Sequence, residues 1–326
     1  MLLVQARTAH GAAGIVLKDT PSRDPGFVAA HLGVVGGGSQ DGRRYNIANN
    51  SRMLGIRGNN GQMNFPVGII STDFDGTLHS EFEDPPVPAS AERMLGHLQT
   101  RGAAWVINTG RDLPSLMEAL DQAGVSVRPD WVVAVEREIY FREDSQYVGL
   151  EGWNRRCGLA HEELFLRVRP DVPQLAAWIN SRYEARVYAD AYSPFCLIAP
   201  SDAEAGEISH YLNSYCVRVP SLTLVRNGVY ARFGHLEFNK GSALAEISGR
   251  LGVHRDRVVA AGDHLNDVPM LTKVHAKWLI APSNAVEEVK ELVRGQDGYV
   301  SGEPNGHGLA RGLEHVLERC RGNARI

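Results

Sequence analysis

No stretch of this sequence stays apolar for the ~20 residues that a membrane-spanning helix needs. The opening Met-Leu-Leu-Val is too short for the apolar region of a secretory signal. A basic excess is missing as well: 34 Lys and Arg stand against 38 Asp and Glu, which gives no hold on a nucleic-acid backbone. Cysteine is scarce and scattered. Cys157, Cys196, Cys216 and Cys320 form no Cys-x-x-Cys pair and read as reduced thiols of a cytoplasmic protein. There is no internal repeat. What is there is a chain of 326 residues, 43% hydrophobic and 22% charged, ordinary for a soluble protein and long enough for two domains.

Residues 1–62 differ in composition from the rest of the chain. They hold 11 of the 34 glycines and six arginines against three aspartates. Val34-Val35-Gly36-Gly37-Gly38-Ser39 lacks the Gly-Lys-Ser/Thr ending and the helix after it that make a phosphate loop. Gly-rich, weakly apolar sequence buries too little to offset its ordering entropy, so a flexible N-terminal extension is expected here. Recognisable organisation begins only after Met63, which is therefore the expected true start.

The remainder is arranged around Val67–Leu78. Val67–Thr72 reads as a buried strand that runs into Asp73-Phe74-Asp75-Gly76-Thr77-Leu78. Side chains alternate along a strand, so Asp73 and Asp75 point the same way at its carboxyl end. In open α/β sheets that end is where ligands bind. Two carboxylates there need compensation, and a bound metal cation supplies it.

An acidic, Pro-rich loop comes next, over Glu81–Pro88. Ser90 is expected to cap a helix through Thr100, with Met94, Leu95 and Leu98 inward. Ala103–Ile107 is the second strand, ending in Asn108-Thr109-Gly110-Arg111. Asp112 opens a helix with Pro114 in its first turn. Trp131–Tyr140 reads as a third strand, and Tyr147–Leu150 pairs back with its end. Strand–helix alternation predicts a doubly wound parallel sheet. From 151 to 234 the pattern changes: helices over Gln174–Tyr183 and Ala203–Asn213 alternate with short β-rich runs, Arg186–Tyr188, Phe195–Ala199, Leu222–Val225 and Val229–Phe233. This predicts an inserted α+β cap domain, with a core made of residues 63–150 and 235–326. The first architecture resumes with a helix over Gly241–Leu251, a strand Val258–Ala261 and the turn Gly262–Asp267 leading into another helix. A strand Trp278–Ile280 and helices Ala285–Val293 and Leu309–Leu317 close the chain, with Asn305–Gly308 as a turn before the last helix.

Four signals fall at strand or helix ends: Asp73-x-Asp75-Gly-Thr-Leu, Thr109, Lys240, and Asp263-x-x-Asn266-Asp267. In this order and context they resemble the haloacid dehalogenase superfamily of phosphohydrolases, over essentially all of residues 66–320. The insertion between Thr109 and Lys240 resembles subfamily IIB, which includes sugar-phosphate phosphatases, Cof-type phosphatases and α-phosphomannomutases. Val135-Glu-Arg-Glu-Ile-Tyr140 is similar to the Val-Gly-Thr-Glu-Ile-Tyr segment of sucrose-phosphate phosphatases, with Glu136-Arg137 in place of Gly-Thr. Gly262–Leu271 and Ser283-Asn-Ala-Val-Glu-Glu-Val are closer to the Cof-like pattern.

The resemblance implies an α/β core of that superfamily and a Mg²⁺-dependent phosphomonoesterase acting on a small phosphate ester, most plausibly a sugar phosphate. Asp73 would be the nucleophile and Asp75 the acid and base. Asp73, the carbonyl of Asp75, Asp263 and Asp267 would hold Mg²⁺, with Asp263 and Asp267 on one face if a helix begins between them. Lys240 would stabilise nucleophile and phosphoryl oxygens. Thr109 would give its hydroxyl and backbone N–H, beside Gly110, to the phosphoryl group. Asn266 would orient Lys240 or a metal-bound water, and Arg111 either reaches the substrate or pairs with core carboxylates. Arg155, Arg156 and Arg232 are candidate cap contacts; Trp153 reads as structural, His264 as a surface histidine, and His307 as part of a turn. A phosphomutase would use the same Asp73 chemistry but need a cationic cap pocket, and a catalytically idle binding protein of the same fold is a further reading. A dehalogenase needs neither Asp75 nor the metal pair.

Overall fold

The computed structural model describes residues 65–323, so the N-terminal extension and the start at Met63 lie outside the described residues. The chain begins with β1 (Ile69–Thr72), α1 (Ala89–Thr100), β2 (Ala104–Asn108), α2 (Leu113–Gln122), β3 (Trp131–Ala134), β4 (Glu138–Glu143) and β5 (Gln146–Gly149). Next come α3 (Glu151–Val168), α4 (Val172–Asn180), β6 (Arg186–Tyr188), β7 (Cys196–Ile198), α5 (Asp202–Cys216), β8 (Leu222–Asn227) and β9 (Tyr230–His235). It ends with α6 (Lys240–Leu251), β10 (Val258–Ala261), β11 (Trp278–Ala281), α7 (Glu287–Gly295), β12 (Tyr299–Val300) and α8 (Asn305–Asn323).

The larger sheet has the order β12-β11-β10-β1-β2-β3-β4-β5. From β12 to β3 it is parallel; β4 and β5 add antiparallel at one edge. β1 is central and buried along its whole length, as its unbroken apolar run requires. Alternation splits the strands between two faces. Ile70, Ile107, Val132, Val259 and Ile280 meet α1, α2 and α8 in one hydrophobic cluster. α6 and α7 bury Ala243, Leu244, Ile247, Val289 and Val293 outside that cluster, on the other face. This is the α/β architecture expected, with helices on both sides of a mostly parallel sheet.

The second sheet, β6-β7-β9-β8, is antiparallel and has its own core. Leu164, Phe165, Leu175, Ile179, Ile208 and Leu212 of α3, α4 and α5 pack on Leu197, Leu222, Ala231 and Phe233. Alternation along β9 therefore turns Arg232 and Gly234 to the opposite face.

Several elements differ from expectation. Trp131–Tyr140 is not one strand: Val135 and Glu136 take left-handed φ values of 45° and 67°, and the chain folds back as the β3–β4 hairpin. α3 is an element the sequence pattern does not announce. Its buried residues Trp153, Cys157, His161, Leu164, Phe165 and Val168 keep helical spacing, but two glycines and a histidine interrupt the apolar signal. α1 starts after Pro88 without a side-chain cap, and the Ser90 hydroxyl is buried with no partner among the described residues. After β10 the chain makes a single 3₁₀ turn, Leu265–Asp267, rather than an α-helix. Asn305–Gly308 is the first turn of α8, with His307 exposed.

Candidate active site

β1 delivers Asp73 to the carboxyl edge of the sheet, where it is 2% exposed. Its backbone N–H continues the ladder to Ala261, fixing it against the end of β10. From the other face comes Lys240, the first residue of α6. Asn239 caps that helix, its side chain accepting from the amides of Gly241 and Ser242, while Ser242 Oγ accepts from the Asn239 amide. A lysine at a helix N-terminus faces the positive end of the dipole, so its placement needs anions close by. They are there: Nζ donates to Asp73 Oδ1 at 2.8 Å and Asp267 Oδ1 at 2.6 Å. Burial alone would lower the ammonium's pKa, but Asp267 and Asp73 raise it above its usual value. The β2 end holds the lysine's backbone, since Asn108 Nδ2 donates to the Lys240 carbonyl at 2.9 Å.

Asp263 lies just past β10, and Thr77 donates to its Oδ1 at 2.7 Å. Ligand atoms of Asp73, Asp263 and Asp267 lie within 4.8 Å of one another. Asp263 and Asp267 are brought together by the 3₁₀ turn and not by a shared helix face. Asp267 Oδ2 accepts from the amides of Asp263 and His264, at 2.9 and 3.0 Å. Three carboxylates thus surround one ammonium. Burial and repulsion from Asp267 push Asp73 well above its usual value, and the same causes push Asp263 up to about 7. Oxygen donors in negative excess suit a hard divalent cation such as Mg²⁺, so the residues present fit that ion. The backbone fits too. A Cβ on Gly76, at φ +78°, would stand 2.4 Å from Asp263 Oδ2, and one on Gly262 2.5 Å from Asp267 Cβ.

Asp75 lies apart from that cluster. Arg111 grips it with two bonds, Nε to Oδ2 and Nη2 to Oδ1, each 2.7 Å. His79 Nδ1 is 3.5 Å from the same carboxylate, and its ring stacks on Phe74. Burial alone would raise the Asp75 pKa; hydrogen bonds from His79 and Arg111 outweigh it and hold the carboxyl at about 2. Arg111 is therefore paired with a half-buried carboxylate. Thr109 is buried beside it, but its N–H is spent on Val133 O and its hydroxyl accepts from the Arg111 amide. Of that turn, the Gly110 amide and the Thr109 O–H are the donors that bond no other group among the described residues.

Asn266 makes no hydrogen bond to Lys240. Its Nδ2 donates to Glu136 Oε1 at 3.0 Å, and its Oδ1 is buried without a partner among the described residues. Glu136 sits at the left-handed tip of the β3–β4 hairpin and also pairs with Arg232 of β9 at 3.1 Å. Burial alone would raise its pKa, but Arg232 and Lys240 hold it below the usual value. Two more contacts join the layers: Arg137 Nη2 donates to Tyr192 O at 2.8 Å, and the Gly228 amide to His264 Nε2 at 3.0 Å. His264 is thus a contact between layers and not a surface histidine. Trp153 is structural, buried with Nε1 on the Arg137 carbonyl, whereas Arg155 and Arg156 are exposed on α3. Between the layers lies a cavity of about 440 Å³ that reaches Lys240, Asn266, Glu136, Arg137 and Arg232.

The residues that sequence reasoning misses are those whose roles depend on distant partners. Thr77 and Asn108 stand inside recognised stretches, near Asp75 and next to Thr109. Asn284, which donates to Gly76 O at 2.8 Å, lies in the Ser283–Val289 run.

A family model described as haloacid dehalogenase-like hydrolase matches residues 186–313. A phosphoglycolate phosphatase of Methanopyrus kandleri is 29% identical over 271 residues, 77% of this chain and 97% of its own. A 5-amino-6-(5-phospho-D-ribitylamino)uracil phosphatase of Bacillus subtilis is 22% identical, over 76% of this chain and 95% of its own. Among solved structures, the sucrose-phosphatase of Synechocystis in complex with sucrose and phosphate superposes with a TM-score of 0.55 and 17% identity, covering 77% of this chain and 98% of that one. A protein of Streptococcus mutans gives 0.54 and 18%, covering 77% and 99%.

Proposed function

We propose that this chain, which belongs to the haloacid dehalogenase-like hydrolases and is a phosphatase, hydrolyses a small phosphorylated metabolite through an aspartyl-phosphate on Asp73. One observation carries the reading: a buried carboxylate at the end of the central strand, 2.8 Å from a buried ammonium, with two more carboxylates beside it. Mg²⁺ would be held by Asp73, Asp263 and the Asp75 carbonyl, with Asp267 fixing Lys240 and the loop amides; when bound it would offset the charge of the phosphoryl oxygens.

An Asp73 oxygen attacks phosphorus, and the bond between phosphorus and the ester oxygen breaks. Lys240 offsets the charge of the phosphoryl oxygens, and the Gly110 amide and Thr109 hydroxyl donate to them. The departing alkoxide takes a proton from Asp75. Asp75 then takes a proton from water, whose oxygen attacks phosphorus and releases phosphate with the Asp73 carboxylate restored. Paired with Arg111, Asp75 is in the base form. Its acid form requires Arg111 to turn towards the incoming phosphoryl group, so Arg111 serves Asp75 and substrate in succession.

The four-stranded layer acts as a cap, comprising residues 151–234 on a core of 63–150 and 235–326. The 440 Å³ cavity beside Lys240 suits a leaving group of sugar size, and the named activities of the curated relatives fall on small phosphorylated metabolites. Four free thiols fit a reducing, cytoplasmic setting. The test is phosphate release from a panel of phosphate esters with Mg²⁺, in the native sequence and in Asp73→Asn. Turnover surviving in Asp73→Asn would overturn the assignment, as would a native protein that leaves Asp73 unmodified with beryllium fluoride and Mg²⁺.

A further inference from the structure

The cavity walls carry four cations, three of which have anionic partners. Lys240 has Asp73 and Asp267, Arg232 has Glu136, and Arg226 donates to Asp202 at 2.7 Å. Arg137 has none among the described residues. It is 7% exposed, and among the described residues its guanidinium makes a single bond, to the Tyr192 carbonyl. A guanidinium has five N–H donors, and a buried one without a carboxylate is costly. Burial, and after it the nearby Arg232, depress its pKa.

The backbone is committed to this placement. Val135, a β-branched residue, and Glu136 both sit in the left-handed region, where such residues are strained. The tip is tied down by the Val135 amide on Arg111 O and the Glu136 amide on Thr109 O, both 2.8 Å. Strain held this firmly delivers Glu136 and Arg137 to the cavity beside the nucleophile. These are also the two positions where the chain departs from the Gly-Thr of the segment it resembles.

We propose that Arg137 binds a carboxylate on the leaving group, so that the substrate is the phosphate ester of a hydroxy acid or sugar acid. This rests on Asp73 being the phosphoryl acceptor. One unpaired guanidinium matches one carboxylate, in charge and in its two-pronged geometry. A second phosphate would bring more negative charge than the cavity has free cations to meet. Arg137 is thus a specificity-determining residue in the cavity wall.

The experiment compares kcat/KM for 3-phosphoglycerate and glycerol 3-phosphate, which differ in the carboxylate, and for glycerol bisphosphate. Native protein is expected to favour the carboxylated ester by on the order of 10- to 100-fold. Arg137→Met should bring that ratio close to one, mainly through KM, and Arg137→Lys should restore part of it. On unaltered protein, glycerate should inhibit competitively where glycerol does not, a readout that needs no variant to fold. Equal use of the two monoesters, or a preference for the bisphosphate, overturns the proposal. So does an unchanged ratio in Arg137→Met, or inhibition by glycerol equal to that by glycerate. Hydrolysis of none of the esters would instead count against Asp73 chemistry itself.

Discussion

Asp263→Asn should make the metal-free protein more stable while destroying its function. Asp263 is pushed up to about 7 from 3.8 by burial and by Asp267. A carboxyl whose folded pKa is raised keeps its proton longer in the folded chain than in the unfolded one. Between those two values the folded state therefore binds more protons, and stability falls as pH rises. Above the folded value the whole penalty is present, up to about 4 kcal/mol at ~1.4 kcal/mol per unit. Asparagine keeps an oxygen for the Thr77 hydroxyl and never ionises. In EDTA at pH 8 the variant should gain about 2–4 kcal/mol, or roughly 5–15 °C for a chain of this size. At pH 5 wild-type Asp263 is already mostly protonated when folded, and the gain should shrink to about 1.5 kcal/mol. Circular-dichroism melts at the two pH values read this directly. Added Mg²⁺ should then raise the melting point of the native sequence by mass action, and that of the variant much less. Equal melting points in EDTA at pH 8, or a gain that does not change with pH, would refute the reasoning.

The same geometry sets three further outcomes. Lys240→Met leaves Asp73 and Asp267 buried without their cation; it should cost about 3–5 kcal/mol in urea unfolding and abolish phosphate release. His161 Nδ1 donates to Cys157 O while Nε2 accepts from the His235 amide; burial and the nearby Arg137 outweigh the Cys157 bond and keep the ring neutral, with a pKa of about 3. Its folded value is depressed below the unfolded 6.5. Stability should thus be full above pH 6.5 and fall by ~1.4 kcal/mol per unit towards pH 3, a slope that His161→Gln should flatten in pH-dependent melts. Gly76→Ala places a methyl against the Asp263 carboxylate on a left-handed backbone. It should lose about 1–3 kcal/mol and weaken the stabilisation by Mg²⁺ seen in thermal melts.

The central frame can be read from residue order alone because it is local. Asp73, Lys240 and Asp263 lie at strand or helix ends that hydrophobic runs and an Asn cap define. The pairings cannot. Arg111 chooses Asp75, and Asn266 chooses Glu136 over Lys240, because of how three loops approach in space, and no local spacing encodes that. The β3–β4 turn is hidden for a related reason. Val135-Glu136-Arg137 has none of the Gly, Asn or Asp that mark left-handed backbone, since tertiary hydrogen bonds to Thr109 and Arg111 hold it there instead. α3 escapes a periodicity reading because Gly152, Gly158 and His161 break up its apolar signal, His161 filling a core position that an apolar residue usually occupies.

The link between β9 and α6 has a mechanical consequence. The strand carrying Arg232 ends at His235, and only Leu236, Glu237 and Phe238 separate it from Asn239, which fixes the start of the helix that presents Lys240. So short a tether has little slack. Any movement of β9 against the larger sheet would arrive within five residues at the ammonium paired with Asp73, so the Arg232 end of the cavity and the charge balance around Asp73 would move together.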